Sequence, residues 1–356
     1  MTKIWVLGNG QLGAMLKQAG NPLGLDVQPV DITSDTPIAL QPEDLVTAER
    51  EQWPSSPVTQ ALANHPNFAN LPVFATLADR RQQKELLDAL NIASAPWSPV
   101  SDGHTAQKLH DELGPRVLLK RRSGGYDGRG QHWLKQQEQS TVPEGWHNHA
   151  IAEQAIDFDE ELSIIGVRNR QGQSYFYPLT LNLNTDGILR ATVAPVARLN
   201  HLQAQAETML GTVLNDLDYV GVMAMELFRQ GDEIMVNELA PRVHNTGHWT
   251  QAGASINQFE YHLRAVADLP LTPAWVKAPS VMINLIGSDF NPQWLAIPGC
   301  EVYWYQKSVR PGRKVGHINL SCPNLAELKA SLKLLAKSLS KEYQQPIQWC
   351  LNELGQ

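Results

Sequence analysis

Two short apolar runs, Val220 to Phe228 and Glu233 to Leu239, each end in a carboxylate and are joined by Arg229-Gln230-Gly231-Asp232. A polar link with Gly where a left-handed backbone is easiest predicts a tight β-hairpin. Its two glutamates, Glu226 and Glu238, limit what can surround it. A carboxylate inside a buried strand is unfavourable unless something positive neutralises it, and two on adjacent strands repel unless a cation lies between them. A hard, oxygen-preferring metal ion fits such a pair. Mg²⁺ takes one or two protein carboxylates and completes its octahedron with water and substrate phosphates. The alternative is two edge-strand glutamates facing water. Directly after them, Asn237 to Asn245 packs an amide, a carboxylate, a guanidinium, an imidazole and a second amide into nine residues at a strand end. Packing alone does not call for that density.

At 356 residues the chain exceeds one ordinary core and predicts two or three domains. Its 42% hydrophobic and 18% charged content argues for a globular chain and against coiled coil or extended disorder. A formal charge of −7 provides no general polyanion surface, so no nucleic-acid polymer is expected as partner. Cys300, Cys322 and Cys350 are odd in number and lack CxxC spacing, against a disulfide framework or zinc site and for a reducing cytoplasm. No apolar run reaches the ~18 residues of a membrane helix, so no membrane partner is expected.

The N-terminal region reads as strand Lys3–Leu7, Gly8-Asn9-Gly10-Gln11-Leu12-Gly13, helix Ala14–Ala19, and strand Leu25–Val30 ending at Asp31. This pattern suits a dinucleotide-binding fold, and equally any turn whose backbone closely approaches an anion. The chain then reads as Pro-rich and irregular to Pro72, with a strand Leu45–Ala48 ending at Glu49. Leu77–Leu90 has helical periodicity, and the extended Asn91–Trp97 marks a domain boundary. Arg116–Arg122 reads as a strand with a basic end, followed by glycines at 124, 125, 128 and 130. So many glycines predict a mobile loop over residues 123–131, able to fold its N–H groups over phosphates while Lys120 supplies a fixed charge. No Lys-Ser/Thr closes the run, so it is not a Walker A motif.

Ala150–Ile156 reads as a buried strand, and Asp157–Glu161 as a solvated acidic turn. Ser163–Val167 and Ser174–Leu179 read as strands, Ala204–Leu217 and Ser255–Ala267 as helices, and Pro270 and Pro273 as a second boundary. Beyond it lie strands Val281–Gly287 and Val302–Tyr305, a cation-rich hairpin Lys307–His317, and a last helix Leu325–Leu339. The hairpin is either a solvated basic turn or a phosphate pocket.

A strand lysine before a glycine loop, together with paired glutamates on a later hairpin, resembles the ATP-grasp superfamily. Three narrower stretches, Gly-Gly-Tyr-Asp-Gly-Arg-Gly-Gln from Gly124, Ala-Pro-Arg-x-His-Asn-x-Gly-His-Trp from Ala240 and Arg-Pro-Gly-Arg-Lys-x-Gly-His from Arg310, are similar to the 5-(carboxyamino)imidazole ribonucleotide synthetase family of purine-pathway ligases. The resemblance runs over essentially the whole chain in order. It implies an α/β (α+β overall) ATP-grasp fold: a Rossmann-like domain at 1–95, an ATP-grasp domain at 96–270 and a small β-rich domain at 271–356. By the same resemblance the substrates are aminoimidazole ribonucleotide, bicarbonate and MgATP, with Mg²⁺ or Mn²⁺ on Glu226 and Glu238, in a cytoplasmic homodimer.

Residue by residue, the resemblance implies nucleotide contacts from Arg80, Lys120, Gly125 to Gln131 (Tyr126, Asp127, Gly128, Arg129 and Gly130 between them), Glu153, Gln154, Ala155, Ile156, Glu161, Asn184, Asn237 and Glu238. It implies ribonucleotide contacts from Gln11, Leu12, Glu49, Tyr126, Asp127, Arg129, Lys307 and Arg313. Arg242, His244 and Asn245 would hold the bicarbonate-derived oxygens, with His244 as anchor or base. At one position the chain departs from the pattern: Asn184 stands where the family commonly has histidine. Another ATP-grasp ligase, a nicotinamide dehydrogenase and a non-catalytic nucleotide sensor remain as alternatives.

Overall fold

The computed structural model describes residues 2–125, 129–138 and 140–355. Strands β1 (Lys3–Leu7), β2 (Asp26–Val30) and β3 (Leu45–Ala48) form a parallel sheet in the order β2-β1-β3. Helix α1 (Gln11–Gly20) starts directly after Gly10, earlier than the apolar pattern indicates. The stretch from Asp31 to Pro72 is not irregular throughout, because it contains α2 (Pro57–Ala63) and the start of α3 (Leu71–Leu77). A capping box nucleates α2: Ser56 Oγ accepts the Thr59 N–H at 3.2 Å, Thr59 Oγ1 accepts the Ser56 N–H at 2.9 Å, and Pro57 sits where no donor is lost. The one helix expected over Leu77–Leu90 is divided. Asp79 accepts the Arg81 N–H at 2.9 Å and caps a separate α4 (Arg80–Ala89).

Strands β4 (Trp97–Pro99), β5 (Arg116–Arg121), β6 (Gln131–Lys135) and β7 (Ala150–Gln154) form an antiparallel sheet in the order β4-β7-β5-β6. With α5 (Ala106–Leu113) it encloses a small core of its own, centred on Leu109, Val117, Leu119 and Leu134.

The largest sheet has nine strands: β8 (Glu160–Arg168), β9 (Ser174–Phe176), β10 (Thr180–Thr185), β11 (Ile188–Ala194), β12 (Gly221–Gln230), β13 (Glu233–Ala240), β14 (Ser280–Ile286), β15 (Cys300–Trp304) and β16 (Lys314–Ser321). Their order is β13-β12-β8-β10-β11-β14-β16-β15, with β9 paired to β8. The sheet does not break at residue 271, since β14 lies antiparallel on β11 with Ile283 opposite Ala191. Helix α6 (Gln203–Asp216) covers one face. On the other, the short α7 (Thr250–Gly253) precedes α8 (Gln258–Val266), which shares a core with β1 and α1 through Met15, Leu16, Phe259 and Leu263. Helices α9 (Leu325–Ser338) and α10 (Gln344–Glu353) join the core on the α6 side. Helix α10 follows the helix expected to be last, and Ile347 and Cys350 are its buried anchors. Among the described residues no helix is long and apolar enough to cross a membrane.

Candidate active site

The hairpin forms as the sequence indicates, with Gly231 at φ +60° in a two-residue turn between β12 and β13. Glu226 lies directly opposite Glu238, so both side chains project from the same face. Arg80 Nη1 reaches Glu238 Oε2 at 2.8 Å. Burial pushes Glu238 up, but Arg80 and Lys120 outweigh it and hold the carboxyl below the usual range. Among the described residues Glu226 has no such cation within ion-pair distance. Burial and then the Glu238 charge push it up to about 8. The pair is a hard-oxygen donor set with one carboxylate left uncompensated, which fits one divalent cation shared with phosphate oxygens. Among the described residues no group of three or more His, Cys, Asp or Glu forms a metal cage.

Glu238 borders a cleft of about 500 Å³. Its lining includes Gln11, Leu12 and Glu49, Arg80 with Ser123, Gly124 and Gly125, and Arg242, His244, Asn245 and Lys314. The glycine turn after β1 is filled from within. Glu49 accepts the Gly10 N–H at 2.5 Å and the Gly13 N–H at 2.6 Å, and a Cβ on Gly10 would come within 2.8 Å of Glu49 Oε1. These glycines admit the chain's own carboxylate to the start of α1, where a dinucleotide would need its pyrophosphate. Asp31 instead closes a local turn on Thr33 at 2.9 Å. The dehydrogenase alternative therefore has no anion seat left.

At the strand end, Arg242 Nε pairs with Glu51 Oε1 at 2.9 Å across the cleft. His244 Nδ1 lies 3.0 Å from Thr246 Oγ1 and 3.4 Å from the Thr246 backbone nitrogen, and Nε2 lies 3.7 Å from Glu226 Oε1. Burial, then Arg242, lowers His244 to about 3, so it is a neutral hydrogen-bond donor and a poor base. Both polar atoms of the Asn245 amide are buried and lack a hydrogen-bond partner among the described residues. Such an amide in a cleft wall is poised for a ligand.

Lys120, on β5, is buried and pairs with Glu153 at 2.5 Å while donating to Asn237 Oδ1 at 3.2 Å. Glu153 faces inward: Lys84 takes its other oxygen at 2.8 Å, and the two lysines overcome burial to pull it down to about 2. At the end of β7 the Gln154 and Ala155 N–H groups are used by Pro96 and Arg116 carbonyls, while the Ile156 N–H has no partner among the described residues. Asn184 donates to Glu161 at 2.7 Å, so the departure from histidine keeps a donor there. The acidic run is solvated only in its first part: Asp157, Phe158 and Asp159 are exposed, whereas Glu160 and Glu161 belong to β8 and are half-buried. Asp157 pairs with Arg116, Asp159 accepts the Gly231 N–H at 2.8 Å, Glu160 joins Arg198 and Arg229, and Phe158 stacks on Phe228 at 4.4 Å.

In the basic segment, Lys307 donates to Gln11 and lies 5.6 Å from the Tyr305 ring. Arg313 turns back to Ser308 Oγ at 2.6 Å, and its neighbour Lys314 lines the cleft instead. Gly130 stands at φ +70° beside Arg129, and Gln131 begins β6. Tyr126, Asp127 and Gly128 lie outside the described residues. Sequence reasoning passed over Glu51, Lys84 and Lys314. One signal was available for Lys84, since Arg80, Gln83, Lys84 and Leu87 repeat at helical spacing and so share a face with an apolar residue.

A four-stranded sheet with its lysine and glycine loop, set against a large sheet with paired glutamates, defines an ATP-grasp enzyme. The ATP-grasp domain family model matches residues 85–259, and the model of the phosphoribosylaminoimidazole carboxylase C-terminal domain matches residues 280–331. The chain is 48% identical over 355 residues to the N5-carboxyaminoimidazole ribonucleotide synthase of Escherichia coli, covering 100% of both chains. It resembles the solved Thermus thermophilus N5-carboxyaminoimidazole ribonucleotide synthetase at TM-score 0.83 and 36% identity, covering 95% of this chain and 99% of that one. It also resembles the Aspergillus clavatus N5-carboxyaminoimidazole synthase in complex with ADP and 5-aminoimidazole ribonucleotide, at TM-score 0.80 and 26% identity, over 94% and 98% of the two chains. The chain belongs to the N5-carboxyaminoimidazole ribonucleotide synthase family of ATP-grasp ligases.

Proposed function

We propose that this chain joins bicarbonate to the exocyclic amine of 5-aminoimidazole ribonucleotide while ATP is cleaved to ADP and phosphate. The observation that carries the reading is the Glu226–Glu238 pair, set beside a cleft that also presents Arg242 and the unpartnered Asn245 amide. Bicarbonate is a poor electrophile. Its oxygen attacks the γ-phosphorus, the bond to the bridging oxygen breaks, and ADP departs, leaving carboxyphosphate. The amine nitrogen then attacks the carboxyl carbon, or CO₂ released from it; phosphate leaves with the electrons of the broken C–O bond and takes up the proton that the nitrogen loses.

Lys120 opposes charge on the phosphate chain from a rigid strand, a preorganised arrangement that needs no movement as charge develops. Glu226 and Glu238 would hold Mg²⁺ or Mn²⁺, which when bound neutralises β- and γ-phosphate oxygens. Arg242 and Asn245 hold the bicarbonate-derived oxygens, with neutral His244 as an anchor. The Ile156 N–H reads the base edge, with Gln154 and Ala155 shaping its seat. Glu161 and Asn184 face the ribose. Lys307 and Lys314 supply the phosphate end of the ribonucleotide site, which Arg313 joins on leaving Ser308, with Gln11, Leu12 and Glu49 opposite. Water must be kept from the site, because it would hydrolyse carboxyphosphate; the contacts expected of Tyr126 and Asp127 lie outside the described residues.

On this reading residues 1–95 and 271–356 flank the nucleotide-binding 96–270, and the enzyme works as a cytoplasmic homodimer; sedimentation as a monomer would remove the dimer. The main test is phosphate release from MgATP and bicarbonate with and without the ribonucleotide. Strong stimulation, absent in Glu238→Ala, is expected. Nucleotide binding without stimulation would discard the substrate assignment.

A further inference from the structure

Helix α4 turns three polar side chains toward the two sheets it joins. Arg80 meets Glu238 at 2.8 Å. Gln83 brackets the next residue, with Oε1 accepting the Leu239 N–H and Nε2 donating to the Leu239 carbonyl, both at 3.1 Å. Lys84 is buried at 3% exposure and gives its three N–H groups to three acceptors: Ser94 Oγ and the Ala95 carbonyl at 3.2 Å, and Glu153 at 2.8 Å. Ser94 and Ala95 lie in the link from α4 to β4, so the ammonium ties that link to β7.

Burying an ammonium is expensive, and an apolar side chain of similar length fills such a space at less cost. The arrangement has a consequence that apolar packing lacks. Glu153 offers one oxygen to Lys84 and the other to Lys120 at 2.5 Å. With Lys84 fixed by three acceptors, the carboxylate is fixed, and with it the Lys120 ammonium. Lys120 spends two N–H groups on Glu153 and Asn237, leaving its third without a partner among the described residues. Two ammonium groups against one carboxylate also leave the cluster net positive. A single Lys120–Glu153 pair would cancel the charge that a phosphate needs.

We infer that Lys84 is a positioning residue for phosphoryl transfer, pinning Glu153 so that Lys120 presents a fixed, uncancelled charge to the phosphates of ATP. The inference rests on the proposed phosphate role of Lys120. Its test compares Lys84→Met, Lys120→Met and the double variant by titration calorimetry with ATP and with adenosine, and by steady-state phosphate release. Lys84→Met should weaken ATP binding on the order of tenfold, as loss of an outer partner does in metal sites. Adenosine affinity and the KM for the ribonucleotide should be unchanged, Lys84→Arg should restore most of the loss, and Lys84→Met should add nothing in a Lys120→Met background. Equal losses for ATP and adenosine, or fully additive losses, would overturn the inference. If Lys120→Met alone leaves ATP affinity intact, the phosphate reading of Lys120 fails instead. Should Lys84→Met not fold, Lys84→Gln, which keeps a donor but no charge, takes its place: a loss confined to ATP supports the positioning role, and equal losses for ATP and adenosine overturn it.

Discussion

Glu153 and Glu226 occupy similar sequence settings, Ile-Ala-Glu and Ala-Met-Glu, near the ends of apolar strands. Their electrostatic fates are opposite. Glu153 lies between Lys84 and Lys120 and is held near 2, whereas Glu226 faces another carboxylate and is pushed up to about 8. The first is a closed ion cluster that fixes a lysine in place. The second is an open charge balance that a bound cation would complete. A buried glutamate therefore marks a ligand site only where the protein has not already supplied its counter-charge.

The contrast is most exposed to failure at Glu226. Replacing it with Gln should reduce ribonucleotide-stimulated phosphate release by on the order of 10²- to 10³-fold, because charge stabilisation is lost at the transition state. The ligand-free protein should keep its melting temperature or gain. Next, Glu153→Gln should destabilise the fold by about 3–5 kcal/mol in urea unfolding, as two buried ammonium groups lose their carboxylate. A stable Glu153→Gln protein would erase the distinction.

The pH dependence of unfolding sharpens the contrast. The folded pKa of Glu226 lies above its ordinary value of 4.5, so its stabilising contribution is full below that value and is lost as pH rises through about 8. Ligand-free protein should therefore lose stability across that window, and Glu226→Gln should flatten the loss. Glu153 acts in the other direction, with its contribution present above 4.5 and lost as pH falls toward 2. His244→Gln, which retains a neutral donor, should lower kcat by no more than about tenfold, the scale of one hydrogen bond, whereas His244→Phe should lose more. The smallest effect belongs to Asn184→His. It should alter the KM for ATP within about threefold, since either side chain donates to Glu161.

The β12–β13 hairpin, the β1–α1 turn, β3 ending at Glu49 and the strand carrying Lys120 were legible because each rests on local pattern: period-two burial, glycine at a turn, or a charge at a strand end. The small helices α2 and α3 were hidden by prolines, which are compatible with a helix's first turn once a cap such as Ser56 precedes them. The Glu160 end of the acidic run read as solvated because its arginine partners, Arg198 and Arg229, come from other segments.

By itself the sequence determined the identity of the chemistry: two glutamates opposite each other across a tight hairpin, a lysine before a glycine loop, and the Arg-x-His-Asn strand end. Local spacing decides these, and hairpin register follows from turn length and side-chain alternation. Only the tertiary structure decided which charges are already satisfied. Glu49 enters the glycine turn, Lys84 and Lys120 meet on Glu153, and Arg80 neutralises Glu238 but not Glu226. The cause is physical: the ionisation of a buried group is set by desolvation and by counter-charges that long-range packing brings within a few ångströms, and no local pattern records them.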